Sequence, residues 1–160
     1  MSRFAFGERR IYYNTFADHL LNSYNPNKTQ PGLPHRWSDA GRRACIDMIA
    51  AFGFNVFEFW LAPRLFCRAR LVSDFGREFV RQMNLVARHA HRRGMSVKFI
   101  AELATVGDDW HTLCPGLPEE WREIRFLWDA WSRRMGEADI VGIFPGDPGA
   151  CSRNGCTALS

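Results

Sequence analysis

The fold is decided by residues 73–103, which read SDFGREFVRQMNLVARHAHRRGMSVKFIAEL. Ser73 is a residue type that caps helix N-termini, and Gly94 is one that ends helices. Between them the apolar residues recur at spacings of three and four, which predicts an amphipathic helix. These residues are Phe75, Phe79, Met83, Val86 and Ala90. The run SVKFIAEL that follows is short, apolar and rich in β-branched and aromatic residues, so it predicts a buried strand after a tight return.

Three further runs have the same character of buried strands. The complete set is Arg10–Phe16, Asn55–Leu61, Ser96–Leu103 and Ala138–Phe144. Their starts lie roughly 40–45 residues apart, which is the length of a strand, a loop, a helix and a return turn. A helix is predicted in each interval, so the order is β-α-β-α-β-α-β. Regular alternation of this kind predicts a parallel sheet with right-handed crossovers.

The first and last predicted helices also carry end signals and apolar faces. Ser38 is the predicted N-cap of the first, and Pro118 is a first-turn residue of the last. The first apolar face comprises Ala44, Cys45, Met48, Ile49 and Phe52, and the last comprises Trp121, Ile124, Trp128, Trp131 and Met135. We expect both faces to pack against the sheet.

Two architectures fit this order, an open doubly wound sheet and part of a barrel. The loops after the strands are long, whereas the helix-to-strand returns are short, and this asymmetry is typical of barrel enzymes. No Gly-x-Gly-x-x-Gly motif follows a predicted strand, which disfavours a dinucleotide-binding sheet. We therefore assign the chain to the α/β class, as parallel (β/α) units forming the first half of a TIM-type barrel that ends after strand 4.

The predicted domain spans residues 1–160 and is incomplete as a barrel. No helical pattern follows Phe144. Four strands leave an open edge and an uncovered sheet face, both of which proteins normally protect. We expect the domain to be truncated at its C-terminus; the alternative is self-association through the open barrel edges.

Composition and charge narrow the classes of partner. Hydrophobic residues make up 46% of the chain and aromatic residues 14%, as expected for a globular protein. The net charge of +4 comes mainly from scattered arginine pairs, so we expect no nucleic-acid partner. No run approaches the roughly 18–20 apolar residues of a membrane helix, and the first residues lack the apolar core of a secretory signal. We therefore expect no membrane partner and a cytoplasmic location.

Candidate site residues stand at the predicted carboxyl ends of the strands, where barrel enzymes place their chemistry. They are Asn14, Glu58, Trp60, Arg64, Glu102, Trp110 and Asp147. Glycoside cleavage requires two carboxylates beside the bond, and an aromatic side chain can form a platform for the sugar ring. We therefore predict carbohydrate chemistry, with Asp147 and Glu102 as catalytic residues and the other five as substrate-binding residues. Glu58 is also expected to form an ion pair with Lys98 on the neighbouring strand.

The cysteines form a second group of candidate ligands. Cys45 lies on a predicted apolar helix face and is expected to fill the core. The other four fall in loops on the strand-exit side and are Cys67, Cys114, Cys151 and Cys156. Four thiolates that converge there would bind a structural zinc ion. The alternatives are unrelated thiols or a single disulfide, and no other cofactor is expected.

Four stretches together resemble a known superfamily. They are RIYYNTF at 10–16, FNVFEFWLAPR at 54–64, SVKFIAELA at 96–104 and GIFPGDPGAC at 142–151. They look like the N-terminal half of glycoside-hydrolase-like (β/α)8 barrels, similar to the family-20 β-hexosaminidases and family-67 α-glucuronidases. In the hexosaminidases an Asp-Glu pair ends the fourth strand, and its glutamate is the general acid. Asp147 matches the aspartate but Pro148 stands in the glutamate position. The resemblance therefore implies an acid from elsewhere, either Glu102 or the missing half of the barrel.

The leading interpretation is therefore a carbohydrate-active barrel, a glycoside hydrolase or its N-terminal half, with a carbohydrate as its substrate. One alternative is a non-catalytic sugar-binding or interaction remnant of such a barrel. The other is an open α/β protein that binds metal through its four cysteines.

Overall fold

The chain forms a four-stranded parallel sheet covered by helices. The computed structural model describes residues 7–13, 38–107 and 109–144. Its elements are β1 (Arg10–Tyr13), α1 (Asp39–Ala51), β2 (Val56–Leu61), α2 (Arg68–Val72), α3 (Asp74–Arg92), β3 (Ser96–Glu102), β4 (Thr105–Val106), β5 (His111–Thr112), α4 (Pro118–Arg134) and β6 (Ile140–Phe144).

The sheet has the order β1-β2-β3-β6, and all its pairings are parallel. The predicted α/β class and parallel sheet are therefore confirmed, and the four strands follow one another in the sheet in their order along the chain. One row of the register runs across all four strands through Tyr12, Glu58, Lys98 and Ile140. Strands β4 and β5 form a separate antiparallel pair that the sequence did not predict.

The core lies between one face of the sheet and the helices. The sheet contributes Phe57, Phe59, Leu61, Val97, Phe99 and Ala101. The same cluster contains residues of α1, α2, α3 and α4, so the helices of the described residues pack on one face of the sheet. A doubly wound sheet has helices on both faces, and this arrangement differs from it. Helices on one side suit a barrel, whose closure remains a proposal.

The helix caps agree with the sequence, but parts of the apolar faces do not. The Ser38 hydroxyl accepts from the Gly41 N–H at 3.1 Å, and the Ser73 hydroxyl accepts from the Gly76 N–H at 3.0 Å, which confirms both N-caps. The predicted α1 face is wrong at Ala44, Met48 and Phe52, because α1 is turned so that its buried stripe comprises Arg42, Cys45, Ile46 and Ile49.

Helix α4 differs from its prediction in its first turn. Trp121 is 41% exposed, whereas the buried face begins with Ile124 and continues through Leu127 and Trp131. The apolar stripe therefore faces the core from the second turn onward, and the predicted packing of Trp121 is wrong.

Polar side chains before two strands fix the start of the sheet. Asn55 precedes β2; its Oδ1 accepts from the Arg9 N–H at 2.7 Å and its Nδ2 donates to the Gly7 carbonyl at 2.7 Å. Asp139 precedes β6, and its Oδ2 accepts from the Val97 N–H at 2.7 Å. Because each bond joins the beginnings of two adjacent strands, it opposes a slip of the register.

The last strand is incompletely covered. Val141 is 46% exposed and Ile143 is 59% exposed, although they lie in register with the core residues Phe99 and Ala101. The helix-side face of β6 is thus an exposed apolar edge of the sheet. Among the described residues, no helix has the length and apolar character needed to cross a bilayer.

Candidate functional site

The face of the sheet opposite the core carries polar residues. Because side chains alternate along a strand, β2 places Glu58 and Trp60 on this face, and β3 places Lys98 and Glu102 there. We call it the polar face. Its members Glu58, Trp60 and Glu102 are predicted site residues, and Lys98 is the predicted partner of Glu58. Within the described residues, the helices pack on the other face of the sheet and do not cover it.

Glu58 is the centre of an ionic cluster on the polar face. It is 6% exposed, and its Oε2 lies 2.8 Å from Arg10 Nη1 and 3.0 Å from Lys98 Nζ. The predicted Glu58–Lys98 pair is therefore confirmed. The contribution of Arg10 was missed, and its only signal in the sequence is a charge at the start of an apolar run. Two cations on one buried carboxylate connect β1, β2 and β3 electrostatically.

Glu102 occupies a different level of the same face. It is the last residue of β3, it is 1% exposed, and it lies in register with Phe144 of β6. It follows Lys98 by four residues, which places its backbone about 13 Å beyond the row that contains Glu58. Paired carboxylates of glycosidases lie about 5–9.5 Å apart. Glu58 is therefore a poor partner for Glu102, and a second carboxylate has to come from a loop near the carboxyl ends.

The side chains of Trp60 and Trp110, both predicted to bind substrate, are in contact with each other. Their ring centroids are 5.7 Å apart and the rings are inclined by 55°. Trp60 belongs to β2, whereas Trp110 belongs to the hairpin of β4 and β5 that follows β3. The Gly107 N–H donates to the Pro63 carbonyl at 2.8 Å, which ties this hairpin to the loop after β2.

The backbone at Trp110 has an uncommon conformation. Its φ is +55°, and a bulky residue rarely adopts the left-handed region. Such a conformation costs of the order of 1 kcal/mol or more and is found most often at functional sites. The backbone at Trp110 is therefore strained in the conformation that places its ring against Trp60.

Several buried donors in β2, in the loop after it and in the β4–β5 hairpin lack hydrogen-bond partners within the part of the chain that the structure describes. They are Trp60 Nε1, Arg64 Nε and the Thr105 hydroxyl. A buried polar atom without a partner costs roughly 1–3 kcal/mol. Thr105 is 1% exposed and was not predicted as a site residue, since a threonine after a strand gives no distinctive signal. These donors suit a ligand that supplies several acceptor oxygens.

Four of the predicted site residues lie outside the described residues, namely Asn14, Asp147, Cys151 and Cys156. Asp147 follows Phe144, the register partner of Glu102, by three positions in the sequence. Its predicted place beside the end of the fourth strand therefore remains a prediction, as does the contact of Asn14 with substrate.

The described cysteines give no zinc site by themselves. Cys45 is buried in the core, as predicted. The Cys67 Sγ lies 3.5 Å from the Arg64 carbonyl, and Cys114 is 3% exposed. Within 7–13, 38–107 and 109–144, no group of three or more His, Cys, Asp or Glu side chains has the arrangement needed to hold a metal ion. A zinc site that includes Cys151 and Cys156 stays a prediction.

Comparisons with protein-family models, with curated proteins and with solved structures found no match for this chain. The fold and the site define it as a parallel α/β protein with a polar face, a buried carboxylate at the end of β3 and a pair of tryptophans in contact with each other. Its function has to be inferred from this geometry.

Proposed function

We propose that the chain is part of a carbohydrate-active (β/α) barrel that acts as a glycoside hydrolase. The observation that carries the proposal is the tryptophan pair at the carboxyl ends of the strands, with centroids 5.7 Å apart. Aromatic rings offer flat apolar surfaces, and sugars present axial C–H groups that pack against such surfaces.

Buried donors in the segments that carry the two tryptophans support the same ligand class. Trp60 Nε1, Arg64 Nε and the Thr105 hydroxyl lack protein partners among the described residues. A sugar has a ring of hydroxyl oxygens that accept hydrogen bonds, so its binding would relieve the cost of these buried donors. The combination of an aromatic pair with buried donors that lack protein partners among the described residues favours a sugar over a purely apolar ligand.

Glu102 is the proposed general acid. Burial of a carboxyl group favours its protonated form, which a general acid needs at neutral pH. Glu102 is almost completely buried, at the strand end that barrel enzymes use for chemistry. Asp147 is the proposed second carboxylate, because it follows the strand that pairs with the Glu102 strand.

Sugar binding is tested by titration calorimetry with N-acetylglucosamine, glucose and glucuronic acid, and turnover is tested with their 4-nitrophenyl glycosides. The informative variant is Trp110→Gly, because glycine removes the ring and adopts a positive φ without strain. We expect at least tenfold weaker sugar binding with an unchanged or higher melting temperature. The control is Trp121→Ala, because Trp121 is 41% exposed on α4 and alanine, unlike glycine, does not weaken a helix. This substitution should leave sugar binding unchanged.

The role of Glu102 is tested with Glu102→Gln. We expect turnover to fall by about 10²–10⁴-fold while sugar binding is retained. Sugar binding without turnover in the unmodified chain would instead favour the non-catalytic alternative. If none of these sugars binds, or if Trp110→Gly and Trp121→Ala have equal effects on binding, the proposed function is wrong.

A further inference from the structure

A groove on the outer, helical side of the molecule is separate from the polar face. It lies between α2 and α4 and has a volume of about 590 Å³, within the range of small-molecule sites. Its apolar lining comprises Ala69, Leu71, Val72, Phe126 and Ala130. Val72 is 70% exposed and Phe126 is 41% exposed, so this lining is accessible from solvent. We call this feature the outer groove.

The charged lining of the outer groove is predominantly cationic. It contains Arg68, Arg133 and Arg134 against a single acid, Asp129. Arg68 is paired with Glu123 at 2.6 Å, and its guanidinium lies 3.8 Å from the centre of the Phe126 ring. Arg133 is paired with Asp129 at 3.0 Å.

Arg134 differs from these two arginines. Its Nη1 donates to the Leu71 carbonyl at the end of α2, and it forms no ion pair with a carboxylate of the described residues. It also lines a second depression of about 370 Å³, together with Leu71, Val72, Arg77 and Val80. Arg134 therefore stands between two depressions, with N–H groups beyond the one that the Leu71 carbonyl accepts.

We propose that the outer groove binds a small amphipathic carboxylate. The carboxylate group of the ligand pairs with Arg134, and its alkyl or aryl body packs against Phe126, Ala130 and Leu71. Charge complementarity selects an anion, because Arg68 and Arg133 are already paired with Glu123 and Asp129, whereas Arg134 has no carboxylate partner among the described residues. The exposed apolar lining selects a ligand with an apolar body over a simple inorganic anion.

The proposal is tested on the full chain with dodecanoate, at concentrations up to about 1 mM, by calorimetry and by NMR of the Leu71 and Val72 methyl groups. Dodecyltrimethylammonium has the same chain length with the opposite charge and should bind at least tenfold more weakly. Ala69→Phe should prevent dodecanoate binding, because the new ring would occupy the groove. Ala69 is an exposed lining residue, so the substitution does not disturb the core.

The matched pair of variants is Arg134→Gln and Arg133→Gln. Arg134→Gln should weaken dodecanoate binding about tenfold or more, whereas Arg133→Gln, which removes an arginine already paired with Asp129, should change it little. If Arg134→Gln unfolds the end of α2, Arg134→Lys replaces it in the test. It keeps the positive charge and should retain most of the dodecanoate binding. No saturable binding, equal binding of the two detergents, or equal effects of the two glutamine variants would each overturn the proposal.

Discussion

Gly142 determines how closely the Lys98 side chain can lie over β6. A Cβ atom built on Gly142 would be 2.5 Å from Lys98 Cε and closer still to Ile100 Cγ2. Real Cβ atoms essentially never approach other atoms so closely. The absence of a side chain at Gly142 thus leaves the space in which Lys98 extends to Glu58.

We predict that Gly142→Ala destabilises the protein by about 1–3 kcal/mol, because Ile100 and Lys98 both have to move. The measurement is urea unfolding followed by circular dichroism. Gly7→Ala is the control, since nothing lies within 4 Å of a Cβ atom at Gly7. Equal stability of the two variants would contradict the close packing over Gly142.

Single residues also show where the sequence was informative. The Glu58–Lys98 pair was predicted because both charges fall mid-strand on one face, and charges there need a partner. Two features were not predictable: the Thr105 hydroxyl, which has no hydrogen-bond partner among the described residues, and the strained φ of Trp110. Both depend on how the hairpin after β3 packs against the loop after β2, which is a tertiary contact without a local pattern.

Among the elements, α1 and α3 are joined by a charged cluster. Arg81 of α3 lies 2.8 Å from Glu78 and 3.2 Å from Asp39 at the start of α1. Hydrogen bonds from Arg81 and then Gln82 lower the pKa of Glu78 from 4.5 to about 2. The hydrogen bond from Arg81 likewise lowers the pKa of Asp39.

A depressed carboxyl pKa stabilises the fold above the pKa of the unfolded chain, and this contribution is lost as the pH falls through the folded pKa. For Glu78 the contribution is complete above about pH 4.5 and is lost toward pH 2. We therefore expect Arg81→Met to lower the urea midpoint at pH 6 and to have a smaller effect at pH 2.5.

The control for this experiment is Arg125→Met, since Arg125 is exposed on α4 and forms no ion pair with the described residues. Its urea midpoint should follow that of the unmodified protein at both values of pH. An effect of Arg81→Met that is the same at pH 6 and at pH 2.5 would show that the cluster does not contribute through these carboxyl groups.

The elements themselves were predicted with uneven success. The four sheet strands and the long helices were predicted because each has an apolar pattern of several residues and a cap or glycine at its end. Strands β4 and β5 have two residues each, which is too short for a period to be visible. The α1 face was wrong at Ala44, Met48 and Phe52. Helix α1 presents Arg42 and Ile46 to the core instead, and an arginine is not recognised in the sequence as part of an apolar stripe.

At the scale of the whole molecule, the exposed edge at β6 is the main unexplained surface. Its residues Ile140–Phe144 carry no charge, and Val141 and Ile143 are about half exposed. Parallel sheets are normally covered on both faces, and charged residues normally protect edge strands. Self-association through this edge, which the sequence indicates as one alternative, therefore stays a prediction.

We predict that the 160-residue chain forms dimers or larger species at tens of micromolar, as measured by light scattering after size-exclusion chromatography. Ile143→Lys should shift it toward the monomer, because a lysine in the edge cannot be buried without a partner. Met48→Lys is the control, since Met48 is 53% exposed on α1, away from this edge. A monomeric unmodified chain with a cooperative melting transition would contradict the prediction.

The hydrogen bonds of Asn55 and Asp139 have a consequence for the order in which the molecule assembles. Each joins a residue just before one strand to the beginning of the preceding strand of the four-stranded sheet, over 46 and 42 residues. The sheet order β1-β2-β3-β6 is also the order of these four strands along the chain, so each strand pairs with the sheet strand that was made just before it. Each unit can therefore dock on its predecessor as the chain leaves the ribosome, before the next unit has been synthesised. During synthesis, the strand made most recently forms the exposed edge of the sheet, and the next strand of the sheet pairs there.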